Sequence, residues 1–256
     1  MLQSHNDNEL FNSFVPDESG KYLGYRESNI LKIQGAIIKD DIQLFEEIIG
    51  ILDVKEMCKL FQYFRTNTTK EHHCEKFIDS LFKKISFGEI NLELEYNGVK
   101  MKQIIITGSA ELSNTKYIKQ LIDMGFNIMI PNRPNEVLVV ACMCGNLEMV
   151  KFLLEFGLDP NYNNAESFRE ACYLGQTETC RYLLKYGIDI DFNCEEMFYL
   201  IIRTIKKDGY EMLLLLIEYG ANLTFINKFI ESKNYLDNRL FDLLVSQGVK
   251  KKMHIY

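Results

Sequence analysis

The sequence predicts an all-α fold, a solenoid of stacked helix-turn-helix units with short or degenerate hairpin loops. Three observations carry that expectation. Ala141-Cys142-Met143-Cys144-Gly145 through Leu153-Leu154-Glu155-Phe156-Gly157 recurs 30 residues later as Ala171-Cys172-Tyr173-Leu174-Gly175 through Leu183-Leu184-Lys185-Tyr186-Gly187. The glycine that closes this block recurs at Gly125, Gly157, Gly187, Gly220 and Gly248, at intervals of 32, 30, 33 and 28 residues. Met149, Val150, Leu153 and Leu154 fall at i, i+1, i+4 and i+5, which is one apolar stripe on a helix. A helix pair with one such stripe cannot bury it alone, so neighbouring pairs must stack on it.

Residues 1–27 are polar with scattered aromatics and read as an arm or N-terminal cap. Residues 28–95 read as a helical region containing one degenerate unit. There Ala36 is followed by Phe45 and then Ile48-Ile49, and Asp40 stands where the turn glycine would be. Two further helices are expected at 53–64 and 70–85, separated by the polar Thr66-Asn67-Thr68-Thr69. Asp53 followed by Glu56 is a capping box for the first of them. The array proper is expected over 96–250, with units near 96–128, 129–160, 161–190, 191–223 and 224–250. Residues 251–256 form a tail. Within each unit Gly145 or Gly175 breaks a short helix from a second one, and Gly157 or Gly187 stops the second. Ala141 and Ala171 are small where two antiparallel helices approach.

The stretch from Gly145 to Asn161, GNLEMVKFLLEFGLDPN, resembles the second half of an ankyrin repeat almost residue for residue. Gly175 to Asp191 and Tyr210 to Leu223 are similar. The family's first-half signature, Thr-Pro-Leu-His, is replaced by Glu136-Val137-Leu138-Val139 and by Glu166-Ser167-Phe168-Arg169. The stretch from Asn161 to Ala171 is shorter than the family spacing, so a truncated hairpin is expected there. Lys outnumbers Arg 22 to 7, and Ile, Asn, Lys, Phe and Tyr are abundant, a bias toward AT-rich codons. Divergent arrays on that background resemble those of large DNA viruses of amoebae.

Composition excludes several other functions. The chain carries 29 basic and 36 acidic residues, a net charge of −7, and alternating signs leave no basic groove for a phosphate backbone. The first eleven residues, MLQSHNDNELF, are polar and acidic, and no run approaches the length of a membrane span, so neither secretion nor membrane insertion is expected. Seven irregularly spaced cysteines in a chain of 256 residues point to free thiols in a reducing compartment, the cytoplasm, of a host cell if the viral resemblance holds. Lys250-Lys251-Lys252 is the one basic run and reads as a solvated terminal cap.

The search for chemistry yields little. His72, His73 and Cys74, with Cys58 upstream, form the one group resembling metal ligands, but adjacent ligands diverge on a helix and no second pair has zinc-like spacing. Cys142 and Cys172 occupy one repeat position and read as small packing residues, whereas Cys144 faces the concave side. The four histidines lie outside the clear repeats, and no phosphate loop or nucleophile motif is present. No catalytic residue, metal or cofactor is expected.

If the resemblance holds, the exposed concave positions are Asn132, Arg133 and Asn135 before one unit and Tyr162, Asn163 and Asn164 before the next. Met143 and Cys144, with their counterparts Tyr173 and Leu174, lie on the short helices. Aromatic, Met, Asn and Arg residues with little net charge are the composition of protein contact surfaces. The expectation is a monomeric, non-enzymatic scaffold that binds a protein partner, a host protein if the chain is viral. Two alternatives are an adaptor that recruits a target to a degradation complex, and an enzyme or metal protein with its site in 52–95.

Overall fold

The computed structural model describes residues 28–67, 73–188, 209–220 and 246. Helices α1 (Asn29–Ile38), α2 (Ile42–Ile49), α3 (Val54–Asn67) and α4 (His73–Ser86) lead into a ribbon of β1 (Glu95–Tyr96) and β2 (Val99–Lys100). Then follow α5 (Met101–Glu111), α6 (Lys116–Asp123), α7 (Glu136–Met143), α8 (Leu147–Glu155), α9 (Tyr162–Tyr173), α10 (Thr177–Tyr186) and α11 (Gly209–Glu218). The N-terminal arm expected at 1–27, the first part of the unit expected at 191–223, the unit expected at 224–250 except residue 246, and the lysine tail lie outside the described residues.

The helices sort into two layers. In one, α1 packs on α3, α3 on α5, α5 on α7 and α7 on α9. In the other, α2 packs on α4, α8 on α10 and α10 on α11. This second layer is bridged between α4 and α6 by the Lys116–Asp79 ion pair at 2.6 Å and by the tilted rings of Phe82 and Tyr117 at 4.7 Å. Lys119 lies over the Phe152 ring at 4.9 Å and joins α6 to α8. The apolar stripes all face the seam between the layers: Met149, Val150, Leu153 and Leu154 of α8 are buried, and so are Cys180, Leu183 and Leu184 of α10. Cys142 and Cys172 are buried there too, in the packing role expected of them.

Local chemistry makes each unit. Asp53 and Glu56 cap α3 reciprocally, Glu56 N–H donating to Asp53 Oδ1 at 2.8 Å and Asp53 N–H to Glu56 Oε2 at 3.2 Å. Between the two helices of a pair the chain must turn through a left-handed residue, and Gly145 (φ 67°) and Gly175 (φ 74°) supply it. Asp40 does so with φ 61°, as expected from its place in the degenerate unit. The glycines that close α6, α8, α10 and α11 also have positive φ. The polar residue after each turn glycine ties the unit to the one before. Asn146 Nδ2 donates to the Leu112 carbonyl while its Oδ1 accepts from Met149 N–H. Thirty residues on, Gln176 Nε2 donates to the Met143 carbonyl at 2.9 Å.

The hairpins shrink along the chain. Asn97 (φ 51°) and Gly98 (φ 79°) make the two-residue turn of the β1–β2 ribbon, a type I′ sequence. The next unit keeps a single bridge between Ile130 and Arg133 around Asn132 (φ 67°). At the third, Asn163, Asn164 and Ala165 turn left-handed with φ of 53°, 56° and 46°, the truncation that the short spacing predicted. Across the ribbon Glu95 pairs with Lys100 and Tyr96 with Val99.

α3 and α5 meet without a spacer. A Cβ built on Gly108 would lie 2.3 Å from Phe61 Cγ, so this contact exists only because α5 has no side chain there. Gly108 and Phe61 are both buried.

Burial gives a contrast within one helix. Leu183→Ala, like Leu153→Ala, removes a fully buried side chain and lowers stability by roughly 2–5 kcal/mol. Tyr186→Ala, at a position 51% exposed, changes stability by less than about 0.5 kcal/mol. Urea denaturation of the three variants checks this, and equal losses would contradict the register.

Candidate functional site

The first layer presents one face away from the seam, and the ten residues singled out from the sequence fall on it in two groups. Asn132, Arg133, Asn135, Tyr162 and Asn163 line one cleft of about 330 Å³, joined by Glu136 and Glu166. The loop turns position these side chains: Asn132 sits at the left-handed corner before α7, and Asn163 begins the left-handed stretch at the start of α9. Arg133 Nε lies 2.9 Å from Glu136 Oε2, and Asn163 Nδ2 donates to Glu166 Oε2 at 2.8 Å. Tyr162 is 42% exposed at the rim. Asn164 is exposed beside the cleft without lining it.

Asn135 does not play the exposed role expected of it. It is buried, and its Nδ2 donates to the Asp159 carbonyl, tying the start of α7 to the loop before α9. A short amide side chain that finds a backbone acceptor is largely withdrawn from solvent, so Asn135 meets the cleft from beneath.

The second group lies at the other ends of the same helices. Met143 ends α7 with Cys144 after it, and Tyr173 ends α9 with Leu174 after it. α7 has 8 residues, so at 1.5 Å per residue the groups are about 12 Å apart along it. Met143, Tyr173 and Leu174 are exposed. Cys144 is half-buried, and Arg65 Nη1 lies 3.6 Å from its Sγ and 3.4 Å from Glu111 Oε2. The C-terminal ends of α3, α5 and α7 thus meet along one edge.

Electrostatics follow burial. Desolvation raises the Glu136 carboxyl above its ordinary value, with Glu166 adding repulsion and Arg133 opposing it. Glu170, one turn further along α9, is raised by burial first and by Glu166 next, against Arg169. Burial also raises the Cys144 thiol, and the guanidinium of Arg65 reduces the shift without reversing it. That thiol is therefore less nucleophilic than a free cysteine at neutral pH.

Sequence reasoning missed four residues of this face: Arg65, Glu111, Glu136 and Glu166. Glu136 and Glu166 occupy the same repeat position 30 residues apart and could have been found that way. Arg65 stands 79 residues from Cys144 and carried no such signal. In the alternative metal region, Cys58 is half-buried with Gln62 Nε2 at 3.9 Å, Cys74 is buried in α4, and His72 lies outside the described residues. Among the described residues no three His, Cys, Asp or Glu side chains are grouped as metal ligands.

Two layers of paired helices, turned by left-handed corners and carrying hairpins at one edge, define an α-helical repeat solenoid. Residues 108–196 match the family model for ankyrin repeats, in three copies, and this part of the chain is an ankyrin-repeat array. No curated protein matches the chain. No described helix is long and apolar enough to cross a membrane.

The reassignment of Asn135 is open to direct test. Asn135→Ala removes a part-buried hydrogen bond to the Asp159 carbonyl, which keeps only Tyr162 N–H as donor, and costs about 1 kcal/mol. Asn163→Ala, which breaks only an exposed contact with Glu166, stays within about 0.5 kcal/mol of wild type by thermal denaturation.

Proposed function

We infer that this chain works through protein–protein interaction, as ankyrin repeats generally do. We propose that this chain is a non-enzymatic, monomeric scaffold that docks a protein partner on the exposed face of α7 and α9. One observation supports this most. Met143, Tyr162, Tyr173 and Leu174 keep 36–44% of their surface exposed on helices whose other faces are closed by neighbours. Such side chains supply apolar area that a partner can cover, the kind of anchor on which interfaces depend. Arg133, Asn132 and Asn163 provide polar recognition at the rim, while Asn135 holds the surface from beneath.

The same reading extends the solenoid upstream, with 28–95 as helical units on which the array of 96–250 is stacked. The series of α1 on α3 and α3 on α5 favours it. The cysteine content favours a reducing, cytoplasmic setting.

The test uses partner capture from cytosol of the source cell, with three proteins matched for helicity and melting temperature. These are wild type, a cleft variant (Tyr162→Ala with Asn163→Ala) and an edge variant (Met143→Glu with Tyr173→Glu). A stoichiometric partner whose capture falls at least about tenfold in either variant supports the site, because loss of an interface anchor costs upwards of 1.4 kcal/mol. Equal capture by all three would move the site off α7 and α9.

A further inference from the structure

Cys172 in α9 and Cys180 in α10 face each other across a single turn, with Sγ atoms 3.4 Å apart. Both are buried, Cys172 at 3% exposure and Cys180 at 0%. The corresponding residues of the two preceding units are Cys142 with Val150 and Ala110 with Ile118, all buried. An aliphatic residue therefore satisfies the packing at the second position, and of these three described units only this one carries sulfur at both positions. The half-buried thiols, Cys58 and Cys144, neighbour Gln62 and Arg65 instead.

We propose that Cys172 and Cys180 are a redox-modifiable dithiol, which a peroxide-class oxidant closes to an internal disulfide that staples α9 to α10. The bond is about 2.05 Å long, so the sulfurs must approach by about 1.4 Å. The two cysteines are only eight positions apart on either side of one turn, which keeps them together during that movement.

The chemistry balances with one peroxide per disulfide. The sulfur of Cys172, the less buried of the two, attacks one peroxide oxygen. The O–O bond breaks, an S–O bond forms, and the departing hydroxide takes up the thiol proton as water. Cys180 sulfur then attacks Cys172 sulfur, the S–O bond breaks, and a second water leaves with the Cys180 proton. Two sulfurs are oxidised by one electron each, and the two peroxide oxygens are reduced. Burial raises the Cys180 thiol well above its ordinary range, which keeps it from attacking first and also slows its attack on the sulfenic acid while the site stays closed. Because both sulfurs are covered, the oxidant enters only when the α9–α10 hairpin opens, and closure is slow. The staple fixes the turn that carries Tyr173 and Leu174, whatever that surface binds.

The full chain is incubated with hydrogen peroxide, the excess is removed with catalase, and free thiols are alkylated after denaturation. Non-reducing digestion on the C-terminal side of glutamate cuts at Glu178, between the two cysteines, so a link between them appears as two joined peptides. The expected result is a Cys172–Cys180 cross-link that reductant reverses. In Cys180→Val, which places the residue of the preceding unit at this position, the link disappears and Cys172 is trapped by dimedone as sulfenic acid. Recovery of both cysteines fully alkylated, with oxidation at Cys58 or Cys144 instead, would overturn the proposal. So would a link from Cys172 to Cys142 in place of Cys180.

Discussion

A helix pair with one apolar stripe has nowhere to hide it except against another pair, and this constraint organises the whole molecule. Every described unit buries its stripe in the seam between two layers, and each layer grows by contact with its nearest neighbours. The contacts that hold units together are correspondingly local and repeated. Asn146 and Gln176 reach back to carbonyls of the preceding unit from equivalent positions. Within its own unit Asn135 reaches forward to Asp159. A close joint lies between α3 and α5, where the ring of Phe61 occupies the space left by the missing side chain of Gly108.

The same constraint explains where binding capacity is left over. Stacking consumes the seam side of each helix but not the opposite face of the first layer. There the surface divides into a polar cleft at the hairpin end of α7 and α9 and an apolar edge at their other end. Burial raises the proton affinity of the half-buried Glu136 in the cleft, and Arg133 offsets only part of that. The surface is preformed by packing, so a partner would meet anchors already held in place.

Much of the fold was legible in the sequence because the physics is local. A glycine that must turn left-handed recurs at nearly constant spacing, and a small buried position recurs as Ala141 and Ala171. Asp40 was recognisable as a substitute for that glycine because the apolar pair followed at the right distance. The Asn97-Gly98 ribbon carried its own signal, a two-residue turn that demands positive φ, and a reading tuned to helical period passed over it. What could not be read is what depends on contacts between residues far apart in the chain. Asn135 has the composition of a surface residue, and only the neighbouring Asp159 carbonyl draws it inside. Arg65 meets Cys144 and Glu111 because α3, α5 and α7 end along one edge, which no periodicity within a unit encodes.

The continuity of the stack across α3 and α5 is the claim on which this account rests, and a double-mutant cycle tests it. In the wild-type background Gly108→Ala forces a methyl group into the Phe61 ring and costs roughly 1–3 kcal/mol by urea denaturation. With Phe61→Ala already present the obstruction is gone, and the same change becomes neutral or stabilising by up to about 1 kcal/mol, the ordinary preference for alanine over glycine in a helix. Equal effects of Gly108→Ala in the two backgrounds would show that α3 and α5 do not meet here, and the single stack would have to be abandoned.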